Sequence, residues 1–342
     1  MINLPLEKYR KKTLFNTEIE TLNAKHTKTL QKILIIGPQD PSRLVYLAHN
    51  LYMCFKKLGY EVKYFSRNTL NASIQVRNRR KYFMLSNLLQ DLDEWVPDFI
   101  FVEQDLIFIQ NTTGIPSAYH HREYRRPHEF YYPTIEYCNQ PNLLEFYEQF
   151  NERMWCSQVP YRKLLPLAYN PQQIDYIKQK DKLYKGISFI GPREPYEVSL
   201  ERGELTRYGT ILLNQLKAQA VKPYIDTFFE TGKGQYKEIV QNSEMIFIPI
   251  SYGQHFSRSI LEAMASGTQV IIKIQSEEQE QTIKEEYKLI QGEHYIGIQS
   301  YKELIDIEFK EEIVKKAYKV IKDNHTYMHR TKQIIEDFYH VL

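Results

Sequence analysis

Cysteine is scarce: Cys54, Cys138 and Cys156 are an odd three in 342 residues, without paired metal-ligand spacing. That argues against a disulfide framework or a cysteine-built metal site, and fits free thiols in a reducing compartment. No apolar run approaches the roughly 20 residues of a membrane span. The opening stretch MINLPLEKYRKKTLFNTEIE has no apolar core of the kind a secretory signal needs, so the expected location is cytoplasmic. Gly37 closes the first apolar run with no G-x-G-x-x-G beside it, which counts against a dinucleotide cofactor. The chain has no short-period repeat and no low-complexity tract. A formal charge of +3 is small for this length, so any electrostatic partner must be argued from local patches.

What is present reads as globular: 42% hydrophobic and 25% charged residues, over a length that suits two ordinary domains. Tyrosine is unusually common, at 27 copies, serving either packing or the stacking of sugars and bases.

The apolar run QKILIIGP (31–38) predicts a buried parallel strand and a turn. Leu44, Leu47, Leu51, Phe55 and Leu58 follow at helical spacing, Gly59 stops the helix, and Val62–Phe65 reads as a second strand. PDFIFVEQ (97–104) and GIPSAYHH (114–121) give two more, so the first half is α/β and doubly wound. The second half restarts the pattern. GISFIGP (186–192) reads as a strand, ELTRYGTILLNQLKAQ as a helix, the region near Tyr224–Phe228 as a strand, GQYKEIVQNS as a short helix and EMIFIPI (244–250) as a strand. Residues 155–173 have little periodicity and read as a linker. The expected domains are 1–165, with an N-terminal lead-in, and 166–342, which takes the helical segment from Glu311 to the end.

The stretch SYGQHFSRSILEAMASGTQVII (251–272) sets a loop at the carboxyl end of a parallel strand, where such sheets bind ligands against a helix N-terminus. Helical geometry puts Ile260, Leu261 and Met264 on the buried stripe and Arg258 with Glu262 on the other side. The cation can neutralise a phosphate and the carboxylate can accept two hydroxyls, as a ribose offers. An exposed i, i+4 ion pair is the other reading of the same spacing. Gly267 predicts a helix C-cap either way.

The segment SEMIFIPISYGQHFSRSILEAMASGTQVII resembles the nucleotide-sugar-binding segment of GT-B glycosyltransferases, especially the family 4 "group 1" enzymes and the spore-maturation-protein-like glycosyltransferases. LPLAYNP (165–171), GISFIGPRE (186–194), YKEIVQNSEMIFIP (236–249) and HTYMHRTKQIIEDF (325–338) support the likeness. The resemblance implies a GT-B fold, with two Rossmann-like domains facing a cleft. It also implies a nucleotide-diphosphate sugar held mainly by the C-terminal domain, an acceptor held mainly by the N-terminal one, and no required metal or cofactor. Glu262 matches the family's second glutamate, which binds the donor ribose, and Arg258 matches an arginine of the spore-maturation-like branch that faces the diphosphate. The family's first glutamate falls on Gln254, an amide that hydrogen-bonds a hydroxyl but carries no charge. Gly253, His255, Phe256, Ser257 and Ser259 complete the donor loop and helix start.

The resemblance also makes His120 and His121 candidates for contact with the acceptor or the transferring sugar, against the alternative of ordinary surface histidines. Arg193 and Arg207 become candidates for the donor phosphates, against simple solvation. Asp91 and Asp93 have the spacing of a metal-binding DxD but stand at a polar helix end. Two basic runs interleaved with aromatics, VRNRRKYF (76–83) and HHREYRRPHEFYY (120–132), suit an anionic acceptor; Tyr124, Arg125 and Arg126 are its expected contacts. The expected activity is transfer of a hexose from a UDP-sugar such as UDP-glucose to an anionic glycan or other acceptor, with retention. Two alternatives stay open: a catalytically silent module that binds a nucleotide sugar or nucleic acid, and a glycosyltransferase acting on nucleic acid.

Overall fold

The computed structural model describes residues 30–37, 47–66, 75–77, 80–84, 95–104, 108–110, 115–121, 135–138, 161–189, 233–248, 256–299 and 301–341. The chain divides into two compact units: Met1–Pro166 with Tyr327–Leu342, and Leu167–Thr326.

In the first unit the apolar run becomes β1 (Lys32–Gly37), followed by helix α1 (Leu47–Leu58) and β2 (Glu61–Ser66). A small sheet is made of β3 (Gln75–Arg77) antiparallel to β4 (Arg80–Met84), with β6 (Phe108–Gln110) parallel to β4. The main sheet continues with β5 (Phe99–Gln104), β7 (Ser117–His121), β8 (Ile135–Cys138) and β9 (Tyr161–Leu164). Its six parallel strands run in the order β2-β1-β5-β7-β8-β9. The chain order reverses between β1 and β5, the position at which doubly wound sheets open a crevice at their carboxyl edge. Strand β9 lies within the segment expected to be a linker; its backbone is spent on pairing with β8.

The second unit opens with β10 (Tyr184–Phe189), then α2 (Lys233–Asn242), β11 (Ser243–Ile248), α3 (Arg258–Ala265), β12 (Gln269–Lys273), α4 (Glu277–Tyr287), β13 (Ile296–Ile298) and α5 (Glu311–Asn324). Its four described strands are parallel, in the order β10-β11-β12-β13. Alternation along β11 explains why the run is apolar throughout. Ile246 and Ile248 face the core built with Ile260, Leu261, Met264 and Tyr287, while Met245 and Phe247 face Ile187, Ile271 and Leu304. Gly267 ends α3 at φ +78°, and a Cβ there would stand 2.7 Å from the Tyr176 ring, so the position needs glycine on both counts.

Below the sheet, Lys182 is buried with its Nζ donating to the carbonyls of Gln241 (2.6 Å) and Ser266 (2.9 Å) and to Thr268 Oγ1 (2.9 Å). One cation thus serves carbonyls at the ends of both α2 and α3, where the negative ends of the helix dipoles favour it.

The segment from Glu311 is two helices, not one: α5 ends at Asn324 and α6 (Tyr327–Val341) begins after a break at His325 and Thr326. The terminal helix belongs with the first unit, which corrects its assignment to the C-terminal domain. Its apolar face, Ile334, Ile335, Phe338 and Tyr339, joins the core of Ile33, Ile35, Phe55, Phe99 and Phe101. Asp337 on the same helix accepts from Tyr137 (2.8 Å) on β8 and pairs with Lys163 on β9. Gln333 Nε2 donates to the Leu164 carbonyl at 2.8 Å.

Tyrosine serves packing conspicuously: Tyr119, Tyr137, Tyr287 and Tyr295 are among the largest fully buried side chains. Burial pushes the Cys54 thiol up to about 11, so it is a protonated thiol at neutral pH.

Candidate functional site

Helix α3 follows β11 as its spacing predicts, with Ser257 at the N-cap in an extended conformation (φ −131°, ψ 142°) and its side chain making no capping bond. Phe256, just before the cap, is buried and stacks on Tyr287, ring centroids 3.7 Å apart. A hydrophobic residue in this place fixes the angle at which the chain enters a helix.

Arg258 and Glu262 do pair, Nε to Oε1 at 3.0 Å, but not as an exposed surface pair: their side chains are only 18% and 9% exposed. The second carboxylate oxygen, Oε2, accepts the Tyr236 hydroxyl from α2 at 2.6 Å. Burial is the first cause that pushes the Tyr236 phenol well above the usual tyrosine range, and the neighbouring Glu262 charge is the second, opposed by Arg258. The phenol is therefore a fixed proton donor to Glu262. An ionised carboxylate has about four lone-pair sites. One internal partner on each oxygen leaves each oxygen capacity to accept once more, which suits two neighbouring hydroxyl groups. Ser259 is buried in the first turn of α3.

In the first unit, His120 is buried near the end of β7, in register with Glu103 on β5 and Tyr137 on β8. His121 is the last residue of β7. Glu103, which the sequence reading did not single out, is buried at the carboxyl end of β5 and accepts from the Ala48 N–H at 2.8 Å. It sets a carboxylate against the first turn of α1 at the reversal point of the sheet.

Gly253, Gln254 and His255, Arg193 and Arg207, Tyr124, Arg125 and Arg126, and Asp91 and Asp93 lie outside the described residues, as do the helix expected after Glu204 and the strand near Tyr224. Among the described residues no group of three His, Cys, Asp or Glu side chains is placed to hold a metal, and no helix is long and apolar enough to cross a membrane.

The sequence matches no family model and no curated protein. Solved structures do match. A glycosyltransferase from Rickettsia africae ESF-5 shares 11% identity over 91% of this chain and 98% of its own, with a TM-score of 0.55. Sucrose-phosphate synthase from Thermosynechococcus elongatus shares 12% identity over 90% of this chain and 98% of its own, at 0.52. Anabaena HepE, in complex with UDP and glucose, shares 11% identity over 90% of this chain and 99% of its own, at 0.52. At these identities the likeness is one of fold. The chain is α/β with parallel sheets and has the GT-B fold of these glycosyltransferases, with two Rossmann-like units.

Proposed function

We propose that this protein is a glycosyltransferase of the family 4 kind, close to the spore-maturation-like branch, which moves a hexose from UDP-glucose or a related UDP-sugar to an acceptor, with retention and without a metal or cofactor. It acts in the cytoplasm on this reading. The observation that carries the donor half is the Glu262 carboxylate, buried at the first turns of the helix after a parallel strand and held on one oxygen by Arg258 and on the other by Tyr236. Glu262 accepts the two ribose hydroxyls. Arg258, whose planar fork has five donors, brings positive charge to the diphosphate beside the α3 N-terminus. The GT-B fold, and the UDP and glucose bound by HepE, support a nucleotide-sugar donor.

Gln254 stands at the transferring hexose, with Gly253, His255 and Phe256 shaping the loop and Arg193 and Arg207 reaching the phosphates. His120 or His121 meets the sugar or acceptor from the first unit. Tyr124, Arg125 and Arg126 favour an anionic acceptor, a phosphorylated glycan or a nucleic acid. A second reading, a silent binding module, is favoured by one feature: an amide at 254 cannot offset the positive charge of an oxocarbenium-like transition state. Incubation with a panel of nucleotide sugars separates the two. Steady release of free UDP, or transfer to an acceptor, supports the enzyme; saturable binding with no turnover on any acceptor supports the module.

A further inference from the structure

Tyr236 stands 26 residues before Glu262, on a different helix, yet its hydroxyl ends on α3, donating to Glu262 Oε2 at 2.6 Å. With Arg258 on the other oxygen, the carboxylate cannot turn about its last bond without breaking a charge-assisted hydrogen bond. Core packing alone does not require this: the ring packs against the second unit's core, but its hydroxyl ends on a carboxylate.

We propose that Tyr236 is a positioning residue that sets the plane of the Glu262 carboxylate for a vicinal diol, and so makes the nucleotide site select ribose over 2′-deoxyribose. This rests on the donor reading above. A ligand with both hydroxyls fills the remaining acceptor capacity of both oxygens. One lacking the 2′-hydroxyl leaves a partly desolvated carboxylate oxygen short of a donor, which sites built to bind hydroxyls penalise strongly. A carboxylate free to rotate would lose that discrimination.

The test measures Kd by calorimetry for UDP and 2′-deoxy-UDP, alongside the other ribonucleoside and deoxyribonucleoside diphosphates, with the full chain and the variants Y236F, E262Q and Y236F/E262Q. The full chain is expected to prefer the ribo form by about 10- to 100-fold, the range of a hydrogen bond to a charged group. Y236F should cut that preference to a few-fold by weakening the ribo form alone. The double variant should discriminate no less than E262Q, because Tyr236 acts through Glu262. Equal weakening of both ligands by Y236F would make Tyr236 a packing residue and overturn the proposal, as would an unchanged preference or independent, additive losses in the double variant. If E262Q leaves diphosphate binding untouched, the donor reading itself falls; if E262Q acts and Y236F does not, only the role of Tyr236 falls. Should Y236F not fold, Y236M, which likewise lacks the hydroxyl, carries the same test: it should lose the same selectivity, and an unchanged preference in Y236M overturns the proposal.

Discussion

The two units each contain a buried carboxylate held in the same way, with a tyrosine hydroxyl on one oxygen and a basic side chain on the other. In the second unit Glu262 takes Tyr236 and Arg258; in the first, Asp337 takes Tyr137 and Lys163. The chemistry is alike and the placement is not. The partners of Asp337 lie 200 and 174 residues away, on two strands of a sheet that the terminal helix covers. Those of Glu262 lie on its own helix and on the helix before it, behind a strand-end loop. A carboxylate with a cation and a phenol is thus no mark of function by itself. On the proposed reading, position relative to the ends of parallel strands decides between a staple and a binding group.

The comparison is sharpened most by removing α6 altogether. Ile334, Ile335, Phe338 and Tyr339 are fully or nearly buried. At about 1.5–3 kcal/mol for each such side chain, their loss is of the same order as the whole stability of a domain, about 5–15 kcal/mol. A chain ending at Asn324 should therefore lose cooperative unfolding of the first unit, seen by calorimetric scanning or hydrogen exchange. A first unit with unchanged protection would show that the staple is dispensable.

A smaller effect is expected from Asp337→Ala, which leaves the Tyr137 hydroxyl and the Lys163 ammonium without their shared acceptor. Breaking a buried pair costs about 3–5 kcal/mol. Lys163 keeps 28% of its side chain in water, so about 2–4 kcal/mol is the expectation, read from denaturant midpoints. Nucleotide affinity should not change.

Lys182 offers a control of the other kind, a buried amino group whose three acceptors are all neutral. Burial, and then the nearby Lys185, pushes it from 10.5 down to about 7. Between these values the unfolded chain binds a proton that the folded chain does not, so stability at this site rises with pH over the window and is lowest below about pH 7. Lys182→Met should lower stability by about 1–3 kcal/mol at pH 8, because two helix-end carbonyls lose a donor. The gap between parent and variant should widen as the pH is raised. A gap that narrows with pH would mean that the ammonium is held in its charged form by its acceptors.

What could be read from the sequence follows the range of the interactions. Runs such as KILIIG and SEMIFI are apolar on both faces and announce buried parallel strands, and the stripe of Ile260, Leu261 and Met264 announces α3. Arg258 and Glu262 are one helical turn apart, so their pairing is visible in the spacing, although its burial is not. IEYC and YRKL are too short and too mixed to declare themselves as strands. The apolar face of α6 shows that it must be covered, but periodicity cannot say by which sheet. Tyr236, Glu103 and Asp337 take partners 26, 55 and up to 200 residues away, and no local pattern carries that information.

The most direct test belongs to Glu262→Gln. The variant keeps the shape of the side chain but turns one accepting oxygen into a donor beside Arg258 or Tyr236, so an unfolding free energy lower by about 1–3 kcal/mol is expected. Its affinity for UDP-glucose, measured by calorimetry beside Asp337→Ala, should fall about 10- to 100-fold, the worth of hydrogen bonds to a charged acceptor. Asp337→Ala should lower the midpoint and leave the affinity unchanged. If Glu262→Gln binds every nucleotide sugar that the parent binds, and equally well, Glu262 is a second staple and the donor site lies elsewhere.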